Sequence, residues 1–346
     1  MPLSDAASYP VWANPLIFAA AAGVIWIFGT RLTRHLDGIA VRQKLDHAFV
    51  GMLLLGGITS LPELANTITS ASSGIPALGV NNLLGSAAIN VLLLAIADAV
   101  IGRQAVTSIV AHPSTMMMAA LCMIVLMVIA FAITTGDLEI GGLGIGIGSA
   151  TIAVLAVFCF WLATGYDKRS HWTVEEGACD TGTERHSSAG LKTSMLWRRV
   201  IMDGLCIFAA GYALSQTGDA IAQQAGLTNQ AVGFGLIGTA TSLPELVTIM
   251  TALRLCRPEM AFGQILGTNF VNLSLILVSD IVLDEGLVLD TLGAFEILSA
   301  LLGATLIGIF MVGLLEHRDR TIFRMGYDSA AVIAVFAAGC SILALV

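Results

Sequence analysis

Glu63 and Glu245 each sit in the same six-residue string, Thr59-Ser60-Leu61-Pro62-Glu63-Leu64 and Thr241-Ser242-Leu243-Pro244-Glu245-Leu246. Gly56 and Gly57 precede the first copy and Gly238 the second, and both copies lie within long apolar runs. A carboxylate at the centre of a membrane helix costs about 2.5–3.5 kcal/mol on insertion scales, so it is seldom there without a partner. On a helix, Gly56, Thr59, Ser60 and Glu63 fall at i, i+3, i+4 and i+7, a single polar stripe. Pro62 has no N–H, which predicts a freed Ile58 carbonyl; Pro244 does the same for Ala240. In a bilayer a freed carbonyl needs another partner, and a bound cation is one. The next helix of each half adds a stripe at i, i+4 and i+8. The first is Asn82, Ser86 and Asn90 beside Gly85; the second is Gln264, Thr268 and Asn272 beside Gly267. Carboxylate, hydroxyl, amide and carbonyl oxygens are hard ligands that suit Ca²⁺ or Na⁺. With both glutamates ionised the site carries −2. One Ca²⁺ or two Na⁺ neutralise it, a third Na⁺ leaves +1, and protonation of the glutamates is the other route to neutrality.

Blander readings exist for each part. A proline-kinked helix with small residues can be a packing device, and an Asn/Ser stripe can be interhelical hydrogen bonding. Neither explains a duplicated glutamate. Asp98 and Asp280 also repeat, at helix ends, and are expected to be solvated there rather than to line access vestibules. Glu296, Asp203 and Asp328 have no repeat partner and are read as structural. The six histidines (35, 47, 112, 171, 186 and 317) lie in or near predicted loops and form no metal-ligand pattern. The six cysteines (122, 159, 179, 206, 256 and 340) lack metal-like spacing and read as small buried hydrophobes. No nucleophile–base pair or phosphate loop is present, so the reading is not an enzyme, with no cofactor and no nucleic-acid partner.

The elements that must carry these residues are membrane helices. The 346-residue chain is 56% hydrophobic and 12% charged, against roughly 25% charged in soluble domains. Its apolar runs exceed the roughly 20 residues of a helical span, and they do not alternate as barrel strands do. The first 13 residues carry no basic stretch, so no cleavable signal peptide is expected. Ten helices are predicted at 14–31, 45–71, 75–101, 113–135, 140–164, 199–215, 227–253, 257–283, 288–313 and 325–345. With ten spans, every Lys and Arg falls on one side: Arg31 to Lys44, Arg103, Lys168 to Arg199, Arg254 with Arg257, and Arg318 to Arg324. The opposite loops hold Asp137, Glu139, Asp219, Asp284 and Glu285. The positive-inside rule then places both termini outside. The domain reading is a first five-helix repeat over 1–164, a polar cytoplasmic linker over 165–198, and a second, inverted repeat over 199–346. The membrane is expected to be a prokaryotic inner membrane.

An offset of 182 residues aligns 56–100 with 238–282 without a gap. Matches run from Gly56/Gly238 through the shared string to Thr69/Thr251, Pro76/Pro258, Gly85/Gly267, Asn90/Asn272 and Asp98/Asp280. Apolar residues match cheaply; Pro, Glu, Asn and Asp do not. Duplication with inversion is the economical account, and it places a binding site where the two copies meet.

These residues resemble the two α-repeats of the calcium:cation antiporter superfamily, and specifically the sodium/calcium exchangers. The string G-x-x-T-S-L-P-E followed by G-[ST]-x-x-x-N is the family hallmark, and both copies carry it with a Glu-to-Asn interval of 27. The resemblance implies an all-α membrane protein with the ion site at midplane, between the second, third, seventh and eighth helices. It implies that Glu63 and Glu245 bind Ca²⁺ and share Na⁺. Thr59, Thr241 and the carbonyls of Gly56 and Gly238 would join the Ca²⁺ ligands; Ser60, Ser86, Ser242 and Thr268 would serve Na⁺. Asn90 and Asn272 complete the expected set. The first and sixth helices would slide across the core to alternate access. Departures are Asn272 where some members have Asp, Asn81-Asn82 for Gly-Asn, Gln264 for Asn, and Thr268 for Ser. The calcium/proton branch usually has Asn-Ala where this chain has Thr-Ser, which favours sodium as counter-ion. The expected function is therefore Ca²⁺ exchange for Na⁺, with Ca²⁺/H⁺ antiport and then a cation channel as alternatives.

Overall fold

The computed structural model describes residues 9–10, 12–101, 113–142, 144–163, 193–224, 234, 237–316, 321–322 and 325–346. Its helices are α1 (Ala13–Gln43), α2 (His47–Ser72), α3 (Pro76–Ile101), α4 (Pro113–Thr135) and α5 (Ile147–Ala163), then α6 (Thr193–Gln224). They continue with α7, in two pieces Gly238–Thr241 and Leu243–Arg254, α8 (Pro258–Val282), α9 (Ala294–Glu316) and α10 (Tyr327–Leu343). A 3-10 turn, Val288–Thr291, precedes α9, and a short hairpin, Thr321–Ile322 with Met325–Gly326, precedes α10. Among the described residues, seven helices are long and apolar enough to cross a membrane; α5 and α10 are apolar but shorter, at 17 residues each.

Several predicted boundaries move. α1 runs on to Gln43 and ends in a left-handed Lys44 (φ 52°) whose N–H reaches the Ala40 carbonyl. α6 starts at Thr193, inside the predicted linker, and continues to Gln224; of the linker, 165–192 lies outside the described residues. α5 begins at Ile147 instead of 140. Gly141, Gly142 and Gly144 take positive φ, and Glu139 bridges Gly146, so a turn occupies the predicted first helical turn. Arg103, Arg318, Arg320, Arg324, Cys179 and His112, His171, His186 and His317 also lie outside the described residues.

The broad core is shared by all ten helices, including Leu32 and Leu36 of α1 and Val200 and Ile207 of α6, with α3 and α8 buried along most of their length. α1 and α6 pack along each other and form a second, smaller apolar cluster with α7, built on Ile25, Leu214, Ala240 and Val247. The halves meet through close backbone approaches at glycine. A Cβ on Gly267 would lie 2.5 Å from the Met52 carbonyl oxygen, and one on Gly85 2.4 Å from that of Phe234. Gly85/Gly267 and Met52/Phe234 are both pairs at the 182-residue offset, so the same contact is made twice. The offset also reaches α1 and α6: Ile25/Ile207, Gly29/Gly211, Leu32/Leu214, Asp37/Asp219 and Ile39/Ile221 are identities.

Asp98 and Asp280 correct a sequence expectation: both are buried, not solvated. Asp280 Oδ2 accepts from the Gly146 N–H and the Ser149 hydroxyl (both 2.6 Å), and its Oδ1 from the Val288 N–H (2.8 Å). Asp98 Oδ2 accepts from the Gly326 N–H (2.8 Å) and the Ser329 hydroxyl (2.7 Å). Each repeated aspartate therefore caps the first turn of the other half's last helix: Asp280 on α8 caps α5, and Asp98 on α3 caps α10. A carboxylate at a helix N-terminus satisfies orphan amides and opposes the helix dipole.

Candidate functional site

α2 and α7 bend at the same residue of the repeat. Ser60 takes φ −79°, ψ −2° and Ser242 φ −83°, ψ 1°. Pro62 and Pro244 then open the following helical segments, where a missing N–H is tolerated. The bend is tight rather than unwound. The Ser60 N–H points between the Gly56 and Ile58 carbonyls, and that of Ser242 between Gly238 and Ala240. The predicted freed carbonyls of Ile58 and Ala240 therefore keep a local contact. Thr59 and Thr241 bond back to the carbonyls of Leu55 and Ile237, both at 3.0 Å. Upstream, Gly51–Leu55 is a π-helix, and Phe234 and Ile237 carry the same winding. Such bulges recur at functional sites, and no sequence signal pointed to them here.

The bends place Glu63 and Glu245 in the interior, both fully buried. Thr59, Thr241, Ser86, Thr268, Asn90 and Asn272 are fully buried too, Ser60 and Ser242 nearly so, and Gly56 and Gly238 are buried. The repeats interlock. Ser86 on α3 donates to Glu63 Oε1 (3.5 Å) and lies 3.4 Å from Thr241 Oγ1, which is 3.1 Å from Asn82 Oδ1. The Thr241 side chain faces Glu63, and Thr59 faces Glu245, so each threonine meets the other copy's glutamate. The two glutamates are near enough for their charges to repel. Gly56 leans on α8, where a Cβ would lie 2.9 Å from the Thr268 amide nitrogen and 3.2 Å from its hydroxyl.

The oxygens of this cluster are largely unpartnered. Glu63 Oε2, both carboxylate oxygens of Glu245, the hydroxyls of Ser60, Ser242 and Thr268, Asn90 Oδ1 and both amide atoms of Asn272 have no hydrogen-bond partner. Among the described residues, the three ion pairs lie elsewhere and no Lys, Arg or His reaches either glutamate. Buried polar groups are otherwise almost always bonded, and a bare buried carboxylate is far costlier than a neutral one. A cluster of inward-facing hard oxygens with two acids and no basic partner is what a small hard cation would complete.

One residue predicted to belong to the stripes, Gln264, turns away, and so does Asn81 beside the first stripe. Gln264 donates to the Thr248 hydroxyl on α7, whereas its repeat counterpart Asn82 accepts from Thr241 of the other repeat. Asn81 donates to Glu296 Oε1 (2.9 Å) on α9. Glu296 Oε2 accepts from the Gly293 N–H (2.7 Å), the reach-back of a capping box, so its role is structural. Asn269 was not singled out in the sequence, yet it is fully buried and accepts from Asn90 Nδ2 at 3.1 Å. Its place one residue after Thr268 was the only available signal, and the first copy has Ala87 there.

The remaining charged groups lie outside this cluster. His35 sits within α1, not in a loop, and its Nδ1 is 2.7 Å from Asp203 Oδ2 on α6. Asp37 Oδ1, in the polar extension of α1, takes Arg257 Nε (2.9 Å) and His47 Nε2 (3.1 Å). Asp328 packs against Gly313 on α9. Cys122 and Cys159 are buried as expected, Cys206 and Cys340 partly so, while Cys256 takes part in a disulfide, against the sequence reading.

Comparison with known proteins agrees with this architecture. The family model described as "Sodium/calcium exchanger protein" matches residues 13–164 and 196–344, one segment per repeat. The chain is 23% identical over 303 residues to the putative antiporter CaxA of Alkalimonas amylolytica, covering 85% of this chain and 88% of that one. It is 26% identical over 240 residues to the inner membrane protein YrbG of Escherichia coli strain K12, covering 66% and 67%. Its fold resembles the solved sodium-calcium exchanger NCX_Mj with a TM-score of 0.67 over 96% of this chain and 99% of that one, at 14% identity. With both repeats matched and an all-helical fold of the same kind, the chain belongs to the sodium/calcium exchanger family, a family of membrane transporters.

Proposed function

We propose that this protein is a secondary antiporter that exchanges Ca²⁺ for Na⁺ at the site between Glu63 and Glu245, in a membrane crossed ten times with both termini outside. The observation that carries this reading is the pair of fully buried glutamates, without a basic partner among the described residues, ringed by unpartnered hydroxyl and amide oxygens. Glu63, Glu245, Thr59 and Thr241, with the Gly56 and Gly238 carbonyls, form the Ca²⁺ set. Ser60, Ser242, Ser86, Thr268, Asn90 and Asn272 extend it for Na⁺. The chemistry of exchange follows from charge. An empty site with both acids ionised is too costly to bury, so the protein changes access only when cations neutralise the pair. One Ca²⁺ and two Na⁺ do this equally, which makes their occupancy mutually exclusive. Asn272 adds no third carboxylate to hold a further Na⁺. The ten-span reading is supported by the distribution of charge, since it gathers all sixteen Lys and Arg on one side with acidic loops opposite.

The test is ⁴⁵Ca²⁺ uptake into proteoliposomes loaded with Na⁺, against choline-loaded controls, at two pH values. Uptake that requires internal Na⁺ is the expected result. Uptake driven by a pH gradient without Na⁺ would replace sodium by protons as the counter-ion, and conductive uptake without any counter-ion would make the protein a channel.

A further inference from the structure

The two repeats supply the same asparagine to the site, Asn90 on α3 and Asn272 on α8, but the structure treats them differently. Asn90 Nδ2 donates to Asn269 Oδ1 at 3.1 Å, which leaves Asn90 Oδ1 buried and unpartnered. Asn272 has no partner at either amide atom. The difference traces to one position of the repeat. Asn269 is fully buried on α8, one residue after Thr268, and the Cys122 thiol of α4 lies beside it. The residue 182 positions earlier is Ala87, which has no group to hold Asn272 in the same way.

An amide side chain presents either a carbonyl oxygen or an NH₂ group, and its terminal torsion has two broad wells related by a half-turn. Only the oxygen can ligate a cation. Asn90 lies one helical turn beyond Ser86, on the stripe whose Ser86 and Asn82 contact Glu63 and Thr241. Binding its NH₂ to Asn269 on the other repeat commits the Asn90 oxygen to the face left open.

We propose that Asn269 is a positioning residue for the cation site: it fixes the Asn90 amide with its oxygen available to the ion, while Asn272 stays free to turn. The site is then asymmetric within a symmetric frame. One amide ligand is set before the ion arrives, and the other is set by the ion. Outer-shell partners that orient a metal ligand are typically worth about 10- to 100-fold in affinity, and pre-orienting a rotor lowers the entropy lost on binding. This inference rests on the cation-binding reading of Asn90 given above.

The experiment is a double-mutant cycle read as the KM for Ca²⁺ in Na⁺-loaded proteoliposomes, using wild type, Asn269→Ala, Asn90→Ala and the double variant. The shift of melting temperature on adding Ca²⁺ to detergent-purified protein is measured in parallel. Asn269→Ala is expected to raise the KM roughly 10-fold and to change it less than about 2-fold when Asn90 is already Ala. An unchanged KM, or an equal rise in both backgrounds, overturns the proposal. A role limited to clamping α3 to α8 would lower the ion-free melting temperature and leave the KM alone, which also overturns it. If wild type shows no Na⁺-dependent uptake, the antiport reading fails separately, and the Ca²⁺-induced melting shift then decides the Asn269 claim by the same cycle. Should Asn269→Ala not fold, Asn269→Ser, whose hydroxyl oxygen is one bond shorter in reach than the amide oxygen, takes its place in the cycle.

Discussion

Glu63 and Glu245 are the two buried acids of the cluster, and that makes them the residues whose replacement is most informative. Glu63→Gln or Glu245→Gln keeps the shape of the side chain and removes one charge. Na⁺-dependent Ca²⁺ uptake is expected to fall at least a hundredfold, the scale of breaking one member of a buried charge pair at about 3 kcal/mol. The same substitution removes an uncompensated buried acid from the ion-free protein, so the melting temperature without Ca²⁺ or Na⁺ should hold or rise. Ca²⁺ should raise the melting temperature of wild type, because it binds only the folded site, and should raise that of Glu245→Gln much less. Intact uptake by either variant would sink the assignment of these residues. Both glutamates, both threonines and the serine and asparagine stripes were legible as types and spacings. The turn of Gln264 to Thr248 and of Asn81 to Glu296 was not, since each depends on a partner on another helix.

At the scale of the elements, the fold relies on two repeated devices. One is the aspartate cap. Asp280→Ala strands three donors at the start of α5 and in the loop after α8. Hydrogen bonds to a charged group are worth about 1.5–3 kcal/mol each before compensation, and the loss should appear as a lower melting temperature. The KM for Ca²⁺ should change little, because Asp280 touches no group of the glutamate cluster; a large KM shift at unchanged stability would instead argue for a place on the ion path. The other device is the glycine contact. Gly267→Ala pushes a methyl against the Met52 carbonyl, and overpacking of this kind costs typically about 1–3 kcal/mol. Gly23→Ala, with nothing within 4 Å, is the matched control and should be neutral. Thermal denaturation of the two variants in detergent checks both statements, and equal stability would count against tight α2–α8 packing. Proline and glycine in the sequence announced that the α2 and α7 helices bend. They did not announce the π-helix before the bend, a stretch of i→i+5 winding that lies where α2 meets Gly267 of α8.

Across the whole molecule, α1 and α6 pack as a pair, joined to the rest by apolar residues such as Leu36 and Ile207 and by polar contacts at their ends. Asp37 links α1 to the first residue of α2 through His47 and to the start of α8 through Arg257. Partial burial alone would raise the Asp37 pKa, but the His47 and Arg257 hydrogen bonds and their charges outweigh it and hold the carboxyl below its ordinary value. A group with a lowered folded-state pKa stabilises above its unfolded pKa and loses that contribution as pH falls through the folded value. The tie is therefore intact through the neutral range and fails only on acidification below the usual carboxylate range. Hydrogen exchange in the last turns of α1 should quicken in Asp37→Asn at pH 7, and should show no comparable change in wild type between pH 6 and 8. Equal protection in variant and wild type would remove the tie from the account. The offset counterpart of Arg257 is Ile75, so this contact has no basic partner at the matching place on the other side of the repeat.

The sequence by itself determined the chemistry and the plan. A membrane protein, duplicated glutamates in Thr-Ser-Leu-Pro-Glu strings, oxygen-only stripes and the family resemblance all rest on local residue types, spacing and composition, which the bilayer constrains strongly. The 182-residue register also carried more than was read from it, since it continues into Gly29/Gly211 and Asp37/Asp219. Tertiary structure alone decided which oxygen meets which. It crossed Thr59 to Glu245 and Thr241 to Glu63, buried Asp98 and Asp280 as caps, and brought Asn269 to Asn90. The physical reason is that these are contacts between repeats. Periodicity fixes the face of a helix on which a side chain stands, but the partner on the facing helix is set by crossing geometry, and that comes from packing the whole chain.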